Sequence, residues 1–431
     1  MTMRRFCAAA LVAAGVSLGL AGGARAPLPA CDPDNGGITL PEGFCALVVA
    51  DDLGAARHLT VTPTGDIYVA IRNRRDAPGG IVALRDRDGD GRAEVRERFG
   101  DDGGTGIEVR GEHLYFARDT AVVRYRLPRG GLVPTEPPEV IVTGLPEQRS
   151  HAAKAIAFDG RGGLYVNVGA PSNACQPQDR KPGVPGQDPC PLLERHGGIW
   201  RFDSAKPGQT QRDGRRFATG LRQMIAFEWH AGAGGLYLAQ HGRDQLDTLW
   251  PDRFTAAQNA ELPSEELLLV TEGSDFGWPY CYHDGKQGRR VLAPEYGGDG
   301  RTVGRCEKYP PPLVAFPGHW APNDLLLYTG SQFPARYRGG AFIAFHGSWN
   351  RAPLPQDGYK VVFVPFRGDK PEGRYETFAD GFAGTRPLKS PNDAAFRPMG
   401  LAQGPDGSLY ISDSTKGRIW RVVAGGRAKT E

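Results

Sequence analysis

The sequence predicts an all-β chain folded as a six-bladed β-propeller. Three observations carry that expectation. One strand phrase recurs six times, and a second strand follows most copies at short range. Sixty glycines and 36 prolines in 431 residues also suit many short strands and turns rather than long helices.

The N-terminus reads as a segment to be removed. Arg4 and Arg5 precede an apolar run from Phe6 to Ala21, and Ala24-Arg25-Ala26 has the small-x-small form of a cleavage site. The run is short for a bilayer crossing. Residues 1–26 are therefore expected to be a cleaved signal, and 27–431 a single propeller domain. Leu28-Pro29-Ala30-Cys31 is a weaker, lipoprotein-like alternative. Loss of residues 1–26 removes three arginines and no acids, leaving 49 basic against 49 acidic side chains. No basic field remains to attract nucleic acid or an anionic membrane. A periplasmic or secreted location is expected.

Six cysteines remain after Cys7 is removed with the signal, and they fall as neighbours: Cys31 with Cys45, Cys175 with Cys190, Cys281 with Cys306. Neighbour pairing is the simplest connectivity. Each bridge would close a loop of roughly 15–25 residues and contribute about 3 kcal/mol. No CxxC spacing supports a metal instead.

The recurring phrase is a Gly-containing turn followed by an apolar-Tyr-apolar strand. It runs from Gly65-Asp66-Ile67-Tyr68-Val69 through Leu114-Tyr115-Phe116, Leu164-Tyr165-Val166 and Leu236-Tyr237-Leu238 to Leu409-Tyr410-Ile411. A degenerate copy is Gly340-Ala341-Phe342-Ile343. Second strands follow at Ile81–Leu84, Val123–Tyr125, Ile199–Phe202, Val361–Val364 and Ile419–Val422. Paired strands repeated at near-blade spacing are the signature of a propeller. A sandwich would not repeat one phrase six times. Loops on one face of a propeller converge on its axis, so chemistry is sought there.

Four loops between blade strands carry candidate residues. His151, just before the third blade, suits proton abstraction from a hydroxyl, although on that segment alone a solvated loop histidine is the favoured reading. Arg222 opens a strand of the fourth blade and could pair with a carboxylate, in a ligand or on the surface. The Gly-rich loop Glu272–Pro279 could offer main-chain carbonyls to calcium, or be a tight turn capped by Asp275. His346, Trp349, Asn350 and Arg351, together with Arg397, abut blade phrases. Arginines and an aromatic ring there suit a planar polyanion. Separately, Asp86, Asp88, Asp90 and Glu97 have calcium-loop spacing with Gly91 at the sixth position. They lie between strands rather than helices, so a calcium-stabilised turn and a plain acidic turn both remain open.

Taken together, these segments resemble the soluble pyrroloquinoline quinone (PQQ)-dependent sugar dehydrogenases, in particular the sorbosone and pyranose dehydrogenase branch. The likeness runs from Leu40-Pro41-Glu42-Gly43-Phe44 and Ala56-Arg57-His58-Leu59 through His151, Val168-Gly169 and Gly220-Leu221-Arg222. It continues through Gly277-Trp278-Pro279 and His346–Arg351 to Arg397-Pro398-Met399-Gly400. It implies PQQ and Ca2+ on top of the propeller. His151 would be the general base toward the anomeric hydroxyl, and the carbonyls of Gly273 and Ser274 would be calcium ligands. Arg222 would stabilise the reduced oxygen, with Arg351 and Arg397 on the cofactor carboxylates. His346, Trp349 and Asn350 would complete the cofactor site. Asn350, Met399 and Gly104-Thr105 stand where the glucose-oxidising members carry Lys, Arg and Gln-Asn. The implied partners are a small sugar and an electron acceptor such as a cytochrome.

Two other classes stay open. A lactonase-type hydrolase would need inward acidic and Asn side chains holding one metal. A non-catalytic sugar- or protein-binding propeller would tolerate loss of His151. A NAD-dependent enzyme is not expected, since no strand–GxGxxG–helix unit occurs.

Overall fold

Each of the six copies of the Gly-x-Tyr phrase becomes the second strand of a sheet of four antiparallel strands, to which the second and third blades add a two-residue parallel edge strand. In the first blade the inner strand Ala56–Val61 pairs with Ile67–Ile71, which pairs with Gly80–Arg85 and then Val95–Phe99. The computed structural model describes residues 1–2, 28–384 and 388–425. The apolar run and cleavage-site residues of the expected signal lie outside them. The remaining blades are built on Gly104–Arg110, Ile156–Phe158, Gln223–His230, Pro322–Leu327 and Pro398–Gln403 as inner strands.

Second strands such as Ile67–Ile71 and Ala341–Phe345 are buried at every position. Both faces of a blade are covered by its neighbours, so these strands read as continuous apolar runs rather than as alternating ones. The cores are correspondingly inter-blade. One cluster joins Tyr115 and Ile141 of the second blade to Phe158, Leu164 and Trp200 of the third. Another joins Tyr237 and Leu267 of the fourth to Ile343 and Val362 of the fifth.

The ring is closed by strand exchange. Phe44–Ala50, from the N-terminal end, is the outer strand of the last blade and pairs antiparallel with Ile419–Ala424. The Cys31–Cys45 disulfide anchors its start, and Trp420 Nε1 donates to the carbonyl of Gly36 at 3.1 Å. The other bridges join Cys175–Cys190 and Cys281–Cys306. They staple two long insertions that pack on each other: the Cys190 amide donates to Tyr280 Oη at 2.9 Å, and Tyr296 packs edge-on against Tyr280. A third insertion holds the short helices Leu246–Leu249 and Ala256–Glu261. Among the described residues no helix is long and apolar enough to cross a membrane.

Trp420 is fully buried, with Phe382 and Phe396 edge-on to its ring at 5.2 and 5.1 Å. Trp420→Ala should therefore lower stability by about 3–5 kcal/mol through the cavity it leaves. Urea unfolding of the variant against the parent measures this.

Candidate active site

In an antiparallel blade the start of the inner strand and the end of the second strand lie on the same face. The main axial cleft is built from those two sets. Arg57, Thr105, His151 and Gln223 come from the entries of inner strands, while Arg72, Asp119, Gly242, Asp244 and His346 follow second strands and His241 ends one. The cleft has a volume of about 290 Å³.

His151 lies in the left-handed region, at φ 56°, where a non-glycine residue is strained. Its Nδ1 is 2.6 Å from the carbonyl oxygen of Ala170. A carbonyl only accepts, so Nδ1 carries the proton and Nε2 keeps its lone pair. Burial, reinforced by the positive charge of Arg222, pushes the imidazole down to about 3. The ring is thus neutral and acceptor-ready. Gly169 makes this placement possible, since a Cβ there would stand 2.8 Å from His151 Cβ.

Arg222 is fixed by two bonds, Nη1 to the Gly242 carbonyl and Nη2 to Asp244 Oδ2, each 2.7 Å. Asp244 is the hub of the site. Its Oδ2 also accepts from Arg180 at 2.6 Å, and its Oδ1 accepts from Asn350 Nδ2. Its backbone exchanges two 2.9 Å bonds with the Asn173 amide. Burial alone would raise the carboxyl, but Arg222 and Arg180 outweigh it and hold Asp244 well below the usual carboxylate range. Glu265 shows the opposite balance. Its oxygens accept from the amides of Gly242 and Ala321 at 2.8 and 3.1 Å, and no cation pairs with it among the described residues. Burial pushes it up to about 8.

The rest of the wall is cationic and incompletely satisfied. Arg57 is buried, bonded through Nε to Thr105 Oγ1 at 3.2 Å, and lowered to about 9 by burial and by Arg72. Arg72 and Arg149 line the cleft with exposed side chains. Asn350 Oδ1 and Gln223 Oε1 are buried without partners. Trp349 stands at the cleft 54% exposed. Unspent guanidinium charge, orphaned polar atoms and one open indole face form a cradle suited to a planar polyanion.

Of the residues singled out from sequence, His151, Arg222, His346, Trp349 and Asn350 meet in this cleft. Arg351 and Arg397 are not among its lining residues. Arg351 donates to the carbonyls of Ala260, Gly318 and Pro355 and to Glu261 Oε1, so its donors hold the helix Ala256–Glu261 in place. Arg397 donates to the carbonyls of His346 and Gly347, bracing the loop that carries Trp349. Gly273 and Ser274 lie elsewhere. Ser274–Asp275 is the outermost strand of the third blade, paired with Arg215–Thr219, and Gly273 is exposed. Their carbonyls are remote from the axis because the loop follows the outer edge of a blade. In the acidic turn, the carboxylates that converge are Asp86, Asp88, Asp90 and Glu94. Glu97 instead pairs with Ala83 along the outer strand of the first blade. Sequence reasoning passed over Asp244 and Glu265. The available signal was position: His241–Asp244 directly follow a Gly-x-Tyr strand.

The model of the TrAA12-like family matches residues 38–425. The chain is 29% identical over 176 residues to a PQQ-dependent pyranose dehydrogenase of Coprinopsis cinerea, covering 34% of this chain and 22% of that one. A Borreliella burgdorferi protein is 30% identical over 208 residues, 48% of each chain. The chain thus spans about half or less of the length of these curated relatives. Among solved structures, the holo PQQ domain of the C. cinerea pyranose dehydrogenase superposes with a TM-score of 0.70 at 20% identity, over 90% of this chain and 97% of that one. A calcium structure of the Trichoderma reesei family AA12 enzyme gives 0.72 at 20%, over 92% and 98%. At these identities the structural likeness is one of fold.

Glu265 generates a pH prediction. Its folded-state value of about 8 lies above the ordinary 4.5, so between these values the native state holds a proton that the unfolded chain has released. Its contribution to stability is complete below pH 4.5 and lost as pH rises to 8, at up to about 1.4 kcal/mol per unit. Glu265→Gln should flatten that decline, whatever its constant offset. Urea titrations at several pH values test it, and an unchanged slope refutes the assignment.

Proposed function

The chain belongs to the TrAA12-like family, and on that premise we propose that it is an exported PQQ-dependent sugar dehydrogenase oxidising aldoses or related pyranoses at the anomeric carbon. The observation that carries the reading is the neutral His151, whose Nε2 lone pair is free in a cleft ringed by Arg57, Arg72, Arg149 and Arg222.

His151 takes the proton of the anomeric hydroxyl at Nε2, while the Ala170 carbonyl holds the ring in the required tautomer. PQQ, when bound, supplies the quinone that accepts the hydride from the anomeric carbon. Arg222 contributes fixed positive charge beside the reacting oxygen. Its Nη donors are already tied to Gly242 and Asp244, so it needs no reorganisation. Arg57, Arg72 and Arg149 suit the cofactor carboxylates, and Trp349 offers a face for a flat ring or a sugar. Asn350 and His346 complete the cofactor wall. Arg397 and Arg351 support it through the backbone bonds described above.

Calcium beside the cofactor would act as a Lewis acid. The Gly242 carbonyl, at the cleft, would be a ligand to it in place of those of Gly273 and Ser274; among the described residues no three carboxylate, His or Cys side chains converge there to hold it by themselves. Electrons would leave to an acceptor such as a cytochrome. Export to the periplasm or medium, after removal of residues 1–26, agrees with three disulfides.

The lactonase reading is disfavoured by geometry. Among the described residues, the one group of three or more His, Cys or carboxylate side chains close enough to share a metal is the Asp86 turn, outside the cleft.

The test adds PQQ and Ca2+ to the purified protein and follows dye reduction across a panel of aldoses. Turnover that requires both supports the proposal, and failure to bind PQQ sinks it. His151→Ala should lower kcat/KM by about 10²-fold or more while PQQ binding, read by fluorescence quenching, persists. Full retained activity would remove His151 as the base. With the imidazole lowered to about 3, the acid limb of kcat/KM should fall well below pH 6.5. A limb at the ordinary histidine value would contradict the buried geometry.

A further inference from the structure

Arg222, His241 and Gly242 also border a second, much smaller cavity of about 20 Å³. Its remaining charged and hydroxyl groups include Arg243, Glu266, Tyr282 and Arg290. A space of this size holds one water or one monatomic ion.

The hydrogen bonding of its wall distinguishes the two. Arg222 Nε, Arg243 Nε and Tyr282 Oη are buried without partners, in residues 3%, 4% and 5% exposed. All three can donate. The other groups are already engaged. Arg222 spends its Nη atoms on Gly242 and Asp244, and Arg243 reaches Glu295 and the Asp244 carbonyl. Glu266, the one carboxylate on this wall, takes both Nη atoms of Arg290 and the amide of Gln240. Each unmet buried donor costs about 1–3 kcal/mol, so three around one cavity call for a common acceptor. A water has two lone pairs and could accept from only two of the three donors, and among the described residues no orphaned side-chain acceptor other than Tyr282 Oη lines this cavity for its own protons. A spherical anion accepts from all three donors.

We propose that this cavity is a binding site for a small monovalent anion, chloride or bromide, held by Arg222 Nε, Arg243 Nε and Tyr282 Oη. The anion braces Arg222 from a cavity separate from the cleft, and its occupancy does not depend on the catalytic reading.

Crystals of the whole protein soaked in sodium bromide, measured at the bromine absorption edge, test the site directly. An anomalous peak bounded by these three atoms is expected. Density there with no anomalous signal identifies a water and overturns the proposal. In solution, the melting temperature should rise and saturate with chloride or bromide, but not with gluconate at equal ionic strength. Tyr282→Phe should weaken the halide response about tenfold, the effect of losing one hydrogen bond to a charged group. An equal response to gluconate would mean general screening and refute the site.

Discussion

Everything in this molecule depends on the pairing of Phe44–Ala50 with Ile419–Ala424. A propeller blade is a small sheet with two apolar faces, and neither can be left to water. An open arc would expose the faces of its first and last blades. Borrowing the outer strand of the last blade from the N-terminal end closes the arc with main-chain hydrogen bonds, registered from Phe44 opposite Ala424 to Ala50 opposite Ile419. The axial cleft exists only once that ring is shut, because its walls come from blades far apart in sequence.

Within the closed ring, the cleft solves a problem of buried charge. Arginines near one axis repel one another and lose hydration. A buried ion pair is tolerated when its partners are fully hydrogen-bonded. On the carboxylate side Asp244 meets that condition, accepting from Arg222, Arg180 and Asn350 while Asn173 clamps its backbone. Arg57 has no hydrogen-bonded carboxylate among the described residues, although the charge of Asp119 acts on it. It rests on Thr105 and is lowered by burial and by Arg72. The site therefore contains one neutralised arginine held rigidly and others with unspent charge. On the proposed reading, the first stabilises a reacting oxygen and the others take an anionic ligand.

Much of this was legible in the sequence, for a physical reason. The Gly-x-Tyr strands are buried on both faces, so their apolar runs mark six blade centres, Ile67–Ile71 to Leu409–Asp413. The positions beside them carried His151, Arg222, His346, Trp349 and Asn350 to the cleft. Failures came where distance along a loop had to stand for direction. Gly273 and Ser274 have a calcium-friendly composition, but the chain there runs along the outer edge of a blade. Arg351 and Arg397 are close to the cleft in sequence, yet their donors satisfy backbone carbonyls. The closing strand was also hidden, since nothing local in Phe44–Ala50 reveals a partner at the far end of the propeller, Ile419–Ala424.

The departures at Asn350 and Met399 also acquire a physical meaning. Met399 is fully buried in the core between blades, where its sulfur receives the Asn323 amide, so an arginine there would need a counter-charge that this core lacks. Asn350 spends its Nδ2 on Asp244 and leaves Oδ1 as an acceptor facing buried space. A lysine in its place would bring a third cation to Asp244, beside Arg222 and Arg180. Positive charge is instead supplied from the opposite wall, by Arg57 and Arg72 of the first blade and Arg149 before the third. The cleft thus keeps its attraction for an anion but moves its anchoring points around the axis. On the proposed reading, a planar anion bound here would be gripped from the side of the first three blades, opposite the Asp244 network.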